Sequence, residues 1–331
     1  MQSKRLRVLV TSTAASPFIR DDVEILRRHF DVDFYIGSGI PALFANLRRA
    51  FRADVTLCWF GSVYAFFAVL GSRLAGRESM IILGGVDVAR EPEIGYGIWR
   101  SRWKSALLTA ALRWTGRIYA VDLSLRDTLE SSSGRPWPSI LPLPTGYDPA
   151  LWNPPGPKED LVLLVAGCDT MQRARIKGVD LLIAAASRLP GRRFLIVGLK
   201  PELIDLLRPG APANVGFLPP TPRRDLPALY GRARIFCQPS RREGLPNALC
   251  EAMLCRCIPV GTDVGGIPTA IGDAGFIVEP ENPEALADAI ERGFAAPEQL
   301  GDAARARIAA NFTLTLREVR LVNAITELAD A

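Results

Sequence analysis

The chain has 331 residues, with 40 Lys+Arg against 35 Asp+Glu and a single histidine. At about 100–200 residues per domain, this length suggests roughly two domains. Its 48% apolar and 23% charged content excludes disordered and collagen-like classes.

In chain order, Arg7–Thr11 reads as a buried strand, followed by a loop to Arg20 and an amphipathic helix over about 21–30. Strands follow at Val32–Ile36, Val55–Trp59, Ser79–Leu83, Arg117–Val121 and Ser139–Leu141, with helices between them. Continuous apolar strands separated by helices predict a parallel sheet covered on both faces. Thr145–Lys158 is rich in Pro and Gly and reads as an interdomain linker. The alternation then restarts, with strands at Leu161–Ala166, Arg193–Val197, Asn214–Phe217, Ile235–Gln238, Ile258–Gly261 and Gly275–Val278. Helices are expected at Gly178–Arg188, Pro201–Leu207, Leu226–Arg232, Pro246–Leu254 and Pro283–Phe294, and from Gln299 onward with a break at Asn311–Thr313. The reading is α/β: two Rossmann-like, doubly wound domains in series, over 1–150 and 151–311. In such sheets ligands bind at the carboxyl ends of the strands, so chemistry is expected on the loops there, in a cleft between the domains.

Several classes fall away. Met1–Val10 has neither the apolar stretch of about 7–15 residues nor the cleavage site of a secretory leader. The apolar run Val63–Leu74 is interrupted by Gly71, Ser72 and Arg73 and falls short of the roughly 18 residues of a spanning helix. The six cysteines lack zinc-site spacing and read as free thiols of a cytoplasmic protein. His29, at a helix end, reads as a surface or capping residue, so no histidine general base is expected.

The densest polar constellation is Pro239-Ser-Arg-Arg-Glu-Gly-Leu-Pro-Asn-Ala-Leu-Cys-Glu251, between a strand and a helix. Gly244 allows close backbone approach, Pro246 suits a first helical turn, and the free N–H groups there suit a phosphate. Glu251 lies eight residues after Glu243, where its carboxylate can accept hydrogen bonds from vicinal hydroxyls. A second constellation surrounds Lys177, one of five lysines in the chain, just before Gly178 and a helix. A cation there can neutralise a departing diphosphate, a contribution of roughly 2.7–4 kcal/mol.

The run Glu243-Gly-Leu-Pro-Asn-Ala-Leu-Cys-Glu251-Ala-Met resembles the E-x7-E signature of retaining GT-B glycosyltransferases of family GT4. Ile258-Pro-Val, Asp263-Val-Gly-Gly-Ile-Pro268, Gly275-Phe-Ile-Val278 and Pro280-Glu-Asn-Pro283 follow in the family's order. Upstream, Asn214-Val-Gly-Phe-Leu218, Leu229-Tyr230 and Pro239-Ser240 also fit. The resemblance is strong over about 160–290 and weak over 1–150. It implies that Glu243 hydrogen-bonds the donor sugar and Glu251 the ribose, while amides near Gly244 and Leu245 hold the diphosphate. Phe217 and Leu218 would lie beside the base. No cofactor is implied beyond the nucleotide-sugar substrate, such as a UDP- or GDP-sugar.

Departures from the family pattern are informative. Cys168 stands where an arginine usually follows the glycine, leaving Arg173 or Arg175 to supply a guanidinium. In Leu83-Gly84-Gly85-Val86-Asp87, Gly84 stands at the family's histidine position, and Asp87 either orients a substrate or caps a turn. The loop Ser12–Phe18 lacks the usual glycine pair. Thr145-Gly-Tyr-Asp148 stands where the family often has Asn-Gly-Val-Asp and reads as structural. A retaining front-face transferase uses the departing phosphate as base and tolerates the missing histidine, whereas an inverting one needs a side-chain base. Asp31-Val32-Asp33 has the form of a metal-binding pair but no supporting pattern, so no metal site is expected. The C-terminal helix, about 312–331, is expected to pack on the N-terminal domain.

Charge divides unevenly. Residues 1–150 hold 19 Lys+Arg and 14 Asp+Glu and carry the whole +5, whereas 151–331 hold 21 of each. The excess is too small to indicate nucleic acid. Arg48, Arg49 and Arg52 cluster beside Phe44, Leu47 and Phe51, and the stretch Trp99–Arg117 is basic and bears three Trp. Two readings stand: an ordinary helix with a solvated Arg rim, or a face that lies on an anionic membrane, with a lipid-linked or envelope-glycan acceptor. A nucleotide-sugar epimerase on the same scaffold and a catalytically silent sugar-nucleotide-binding protein are the alternatives to a transferase.

Overall fold

The computed structural model describes residues 5–331, so Met1–Lys4 of the segment weighed as a leader lie outside the described residues. The chain divides into two units: one runs to Gly146 and takes in Leu314–Ala331, the other is Tyr147–Thr313.

The first unit is built on strands β1 (Arg7–Ser12), β2 (Asp31–Ile36), β3 (Val55–Trp59), β4 (Glu78–Leu83), β5 (Arg117–Ala120) and β6 (Ile140–Pro142). They pair in the order β2-β1-β3-β4-β5-β6, all parallel. The intervening helices are α1 (Pro17–His29), α2 (Ile40–Ala50), α3 (Val63–Leu74), α4 (Arg102–Trp114) and α5 (Ser124–Ser133). The step from β1 to β2 runs one way along the sheet, and the steps β2–β3, β3–β4 and β4–β5 run the other. Right-handed crossovers therefore put α1 on one face and α2, α3 and α4 side by side on the opposite face. Every residue of β3 is buried between the layers, which explains its apolar character, with the Thr56 hydroxyl accepting from Ser72 Oγ at 2.8 Å. The helix α1 starts at Pro17, earlier than its periodicity suggested, because proline is preorganised for a first turn.

The second unit contains β7 (Glu159–Cys168), α6 (Met171–Ile176), α7 (Val179–Arg188), β8 (Arg193–Leu199), α8 (Pro201–Leu207) and β9 (Val215–Leu218). It continues with α9 (Leu226–Arg232), β10 (Ala233–Gln238), α10 (Asn247–Leu254), β11 (Ile258–Thr262), α11 (Ile267–Ile271), β12 (Phe276–Val278), α12 (Pro283–Ala295) and α13 (Gln299–Asn311). Its parallel sheet has the order β12-β11-β10-β7-β8-β9. Val162, Leu164, Ile196, Ile235 and Val260 meet Leu182, Ile204, Leu286 and Ile290 in the core beneath α7, α8 and α12.

The Pro/Gly-rich segment contains the division between Gly146 and Tyr147, and its remainder packs in the second unit. Tyr147 and Trp152 are buried, and Trp152 packs edge-on against Tyr230. Arg305 on α13 donates to the carbonyls of Trp152 and Pro149 at 2.7 and 2.9 Å. The last helix, α14 (Leu314–Ala329), lies in the first unit against α1, β3 and β4. Its buried Arg317 forms a two-pronged ion pair with Asp22 at 2.9 and 2.6 Å and donates to the carbonyl of Leu143. Trp59 Nε1 donates to the same carboxylate. No helix among the described residues is long and apolar enough to cross a membrane.

Candidate active site

In the second sheet, the chain leaves β7 towards β8 and β9, then returns to lay β10 on the other side of β7. The carboxyl ends of β7 and β10 are thus a topological switch point, where loops diverge and a crevice opens. The loop after β7 ends in Lys177, and the loop after β10 carries Glu243.

Two backbone features fasten these loops together. Arg241 N–H donates to the Ile176 carbonyl at 2.8 Å. Gly178 has φ +70°, and a Cβ there would sit 1.9 Å from the Pro239 carbonyl oxygen, so only glycine permits the approach. The Arg241 guanidinium completes the joint. It donates to the Arg175 carbonyl and pairs with Asp180 at 2.7 Å and with Glu281.

Lys177 Nζ then lies 2.6 Å from Glu243 Oε1. The same oxygen accepts from Gln238 Nε2 and Ser240 Oγ, both at 2.9 Å, and Thr262 Oγ1 holds the Ser240 carbonyl at 2.6 Å. The Glu243 side chain is 8% exposed and that of Lys177 27%. The turn after β11 supports Glu243 from below. Gly265, at φ +56°, would bring a Cβ to 2.2 Å from the Glu243 carbonyl oxygen, and Gly266 N–H donates to the Gly244 carbonyl at 2.7 Å. Gly244 and Leu245 are buried at the entry to α10.

Glu251 projects from α10 into a separate environment and is 6% exposed. Its two oxygens accept from Arg223 Nε and Tyr230 OH, each at 3.3 Å. Burial, then the neighbouring Glu251 charge, push the Tyr230 phenol well above its ordinary pKa, so it stays a neutral donor.

Residues 160–295 match the family of glycosyl transferases group 1. The match lies wholly within the second unit. The D-inositol 3-phosphate glycosyltransferase of Mycobacteroides abscessus is 38% identical over 129 residues, which cover 35% of this chain and 28% of that protein. The chain therefore matches little more than a quarter of that relative's length. The fold as a whole is similar to HepE of Anabaena, crystallised with UDP-glucose, at a TM-score of 0.77 and 15% identity, over 97% of this chain and 100% of that one. It is also similar to sucrose-phosphate synthase of Thermosynechococcus elongatus, at a TM-score of 0.78 and 16% identity, over 98% and 99% of the two chains. The two parallel six-stranded sheets have the Rossmann-like GT-B architecture expected from the sequence.

Within this second unit, the structure brings Lys177 and Glu243 together and sets Glu251 apart. Arg173 and Arg175 lie on the exposed side of α6, and Arg173 reaches only Asp169, at 4.0 Å. Neither joins the Lys177–Glu243 pair. Cys168 is buried and its thiol is pushed up to about 11 by that burial, so it offers no charge. Leu218 ends the edge strand β9 half-buried, and Phe217 sits in the core under the Arg208 guanidinium.

In the first unit Asp87 is fully buried, and its carboxylate accepts from the amides of Gly61, Gly84 and Gly85 at 2.7–3.1 Å. These contacts cap the turn at Gly84–Gly85. Burial raises its pKa and the amide hydrogen bonds work against that shift. The absent histidine also has a structural counterpart. A Cβ on Gly84 would lie 2.2 Å from the Phe60 ring, which packs with Phe18 and Trp59 and stands on a backbone at φ +67°. Asp33 is spent on Arg49, and among the described residues no group of three or more His, Cys, Asp or Glu is placed to hold a metal.

Arg241, Gln238 and Arg223 are the participants that sequence reading missed. Gln238 left a trace as the polar last residue of an otherwise buried strand end. Nothing in the sequence separates Arg241 from Arg242.

Proposed function

We propose that this chain is a retaining glycosyltransferase that moves a sugar from a nucleotide-diphosphate donor to an acceptor by a front-face reaction without a divalent metal. The observation that carries the reading is the Lys177–Glu243 pair at the β7/β10 switch point. Three donors hold Glu243 through Oε1 alone, leaving Oε2 to accept from sugar hydroxyls. Gln238 Oε1 is buried with no hydrogen-bond partner among the described residues, and a sugar hydroxyl is the kind of donor it lacks.

In this reading the bond between the anomeric carbon and the diphosphate oxygen breaks, and its electron pair leaves with the phosphate. Lys177 and the amides at Gly244–Leu245 offset the developing charge. The departing phosphate oxygen takes the acceptor proton as the acceptor oxygen bonds the anomeric carbon on the same face. Glu251, held by Arg223 and Tyr230, accepts from the ribose hydroxyls. The UDP-glucose bound by HepE supports a nucleotide sugar as donor. The basic first unit supports a lipid-linked or envelope-glycan acceptor, met at the inner face of a membrane.

A thermal-shift screen of UDP-, GDP- and ADP-sugars, followed by an assay of sugar release, tests the reading. Stabilisation by one donor class is expected, with release abolished in Glu243→Gln while nucleotide binding persists. Release that survives Glu243→Gln unchanged would overturn it.

A further inference from the structure

We propose that α2 docks on an anionic bilayer, with Arg7, Arg48, Arg49 and Arg52 forming a cleft for a lipid phosphate and Phe44 and Phe51 entering the acyl boundary. This deepens the membrane side of the proposed function, and its test reads binding alone, so it stands or falls separately from the donor chemistry.

The burial pattern of α2 is unusual. Its fully buried residues are Ala42, Asn46 and Ala50, small or polar, and Leu43 and Leu47 are half-buried, whereas Ile40 and Phe44 are 72% and 64% exposed and Phe51, capping the helix, is 54% exposed. A helix that packs only on a sheet places its large apolar residues inward. Close packing forces the small inner face: a Cβ at Gly71 of α3 would lie 2.3 Å from the Leu47 carbonyl oxygen. The large apolar side chains outside have no such cause. On the exposed side, Ile40, Phe44, Arg48 and Phe51–Arg52 recur at helical spacing, so aromatic and cationic groups share one stripe.

The charge points to the occupant. Arg7, Arg48, Arg49 and Arg52 line a cleft of about 260 Å³ whose one carboxylate is Asp33. Arg49 takes that carboxylate at 2.6 and 2.8 Å, and Arg7 lies 3.9 Å from it. Arg48 and Arg52 are exposed and have no ion-pair partner among the described residues. The whole layer shares this bias, because α2, α3 and α4 contain no Asp or Glu and six cations. Leu74, Trp103 and Trp114 are exposed on the same layer, with Arg73 over the Trp114 ring and Lys104 over Trp103. A free phosphate needs the guanidinium groups but not the exposed rings, whereas an anionic lipid surface engages both.

The test is sedimentation of the full chain with phosphatidylcholine vesicles, with and without phosphatidylglycerol. Binding is expected only with the anionic lipid and is expected to fall as salt rises. Arg48→Ala with Arg52→Ala should weaken it about 30-fold, from roughly 1 kcal/mol per surface cation. Phe44→Ser with Phe51→Ser should weaken binding while leaving its salt dependence. Arg20→Ala with Arg27→Ala, on α1 and the opposite face, controls for net charge and should change it little. Equal binding to both vesicle types, or equal losses from the two arginine pairs, would overturn the proposal. So would binding of inorganic phosphate in the cleft without vesicle binding.

Discussion

Replacing Lys177 by methionine removes one charge from the proposed donor site while keeping the length of the side chain. At 2.6 Å from Glu243 Oε1, and at an effective dielectric constant of about 20, the gross attraction is about 6 kcal/mol, most of it offset by desolvation of both groups. Breaking a fully buried pair costs about 3–5 kcal/mol and an exposed one about 0–1. With side chains 27% and 8% exposed, and with Gln238 and Ser240 still donating to the same oxygen, about 2 kcal/mol of folding stability should be lost. Turnover should fall much further than that loss alone would explain. An ammonium that neutralises the leaving diphosphate contributes roughly 2.7–4 kcal/mol in the transition state, a rate factor of about 10²–10³. Single-turnover release of nucleotide at saturating donor measures the rate, and a melting curve measures the stability. Lys177→Arg keeps the charge, but the Gly178–Pro239 contact pins the loop and leaves the longer fork off position, so only part of the rate should return. A methionine variant that melts as expected and turns over within about tenfold of the native chain would refute the leaving-group role.

Truncating Arg317 to alanine should destabilise the first unit by about 3–5 kcal/mol, seen in chemical unfolding, because it strands Asp22 in the core. Gly265→Ala should strain the turn that supports Glu243 by about 1–3 kcal/mol and reduce donor turnover more than stability. Gly84→His should lower the melting temperature, since its Cβ alone overlaps the Phe60 ring, and an unchanged melt would show that the aromatic cluster yields freely. Acid sensitivity should come partly from Glu159 and Glu291, held below the usual carboxylate range by hydrogen bonds from Arg232 and Arg192. Their contribution is present above the unfolded carboxylate pKa and is lost as pH falls through the lower folded values. Arg232→Ala with Arg192→Ala should therefore flatten the acid side of a plot of melting temperature against pH.

The strands were the most legible part of the chain. Val55–Trp59 was readable to the residue because a strand buried on both faces is apolar at nearly every position, its one hydroxyl, on Thr56, being met by Ser72. Short helices were less so: α6 and α11, with six and five residues, are too brief to establish a period. The buried Tyr147 and Trp152 were hidden inside a segment whose Pro and Gly content advertised a linker, since composition does not say where an aromatic ring docks. In the candidate site, Glu243 and Glu251 stood out through the resemblance of the run that joins them to a family signature, and Lys177 as one of five lysines, just before Gly178 and a helix. Their supports did not stand out. Gln238 and Ser240 acquire meaning only when their donors converge on one carboxylate oxygen, and Arg241 only when α6, α7 and the turn before α12 come within its reach.

The uneven charge of the two halves reflects two ways of handling arginine. In the second unit most arginines are matched: Arg188 with Glu284, Arg192 with Glu291, Arg193 and Arg232 with Glu159, Arg241 with Asp180 and Glu281, and Arg256 with Asp302. With the surrounding field cancelled, the charge at its sheet ends is set by individual groups such as Lys177 and Glu243. The first unit keeps its carboxylates off α2, α3 and α4, so cations there add up across a face instead of cancelling in pairs. A summed field of this kind attracts an extended anionic surface without demanding one pose. The excess of five charges thus follows from a carboxylate-free layer and not from an abundance of basic residues, since the neutral half contains more of them.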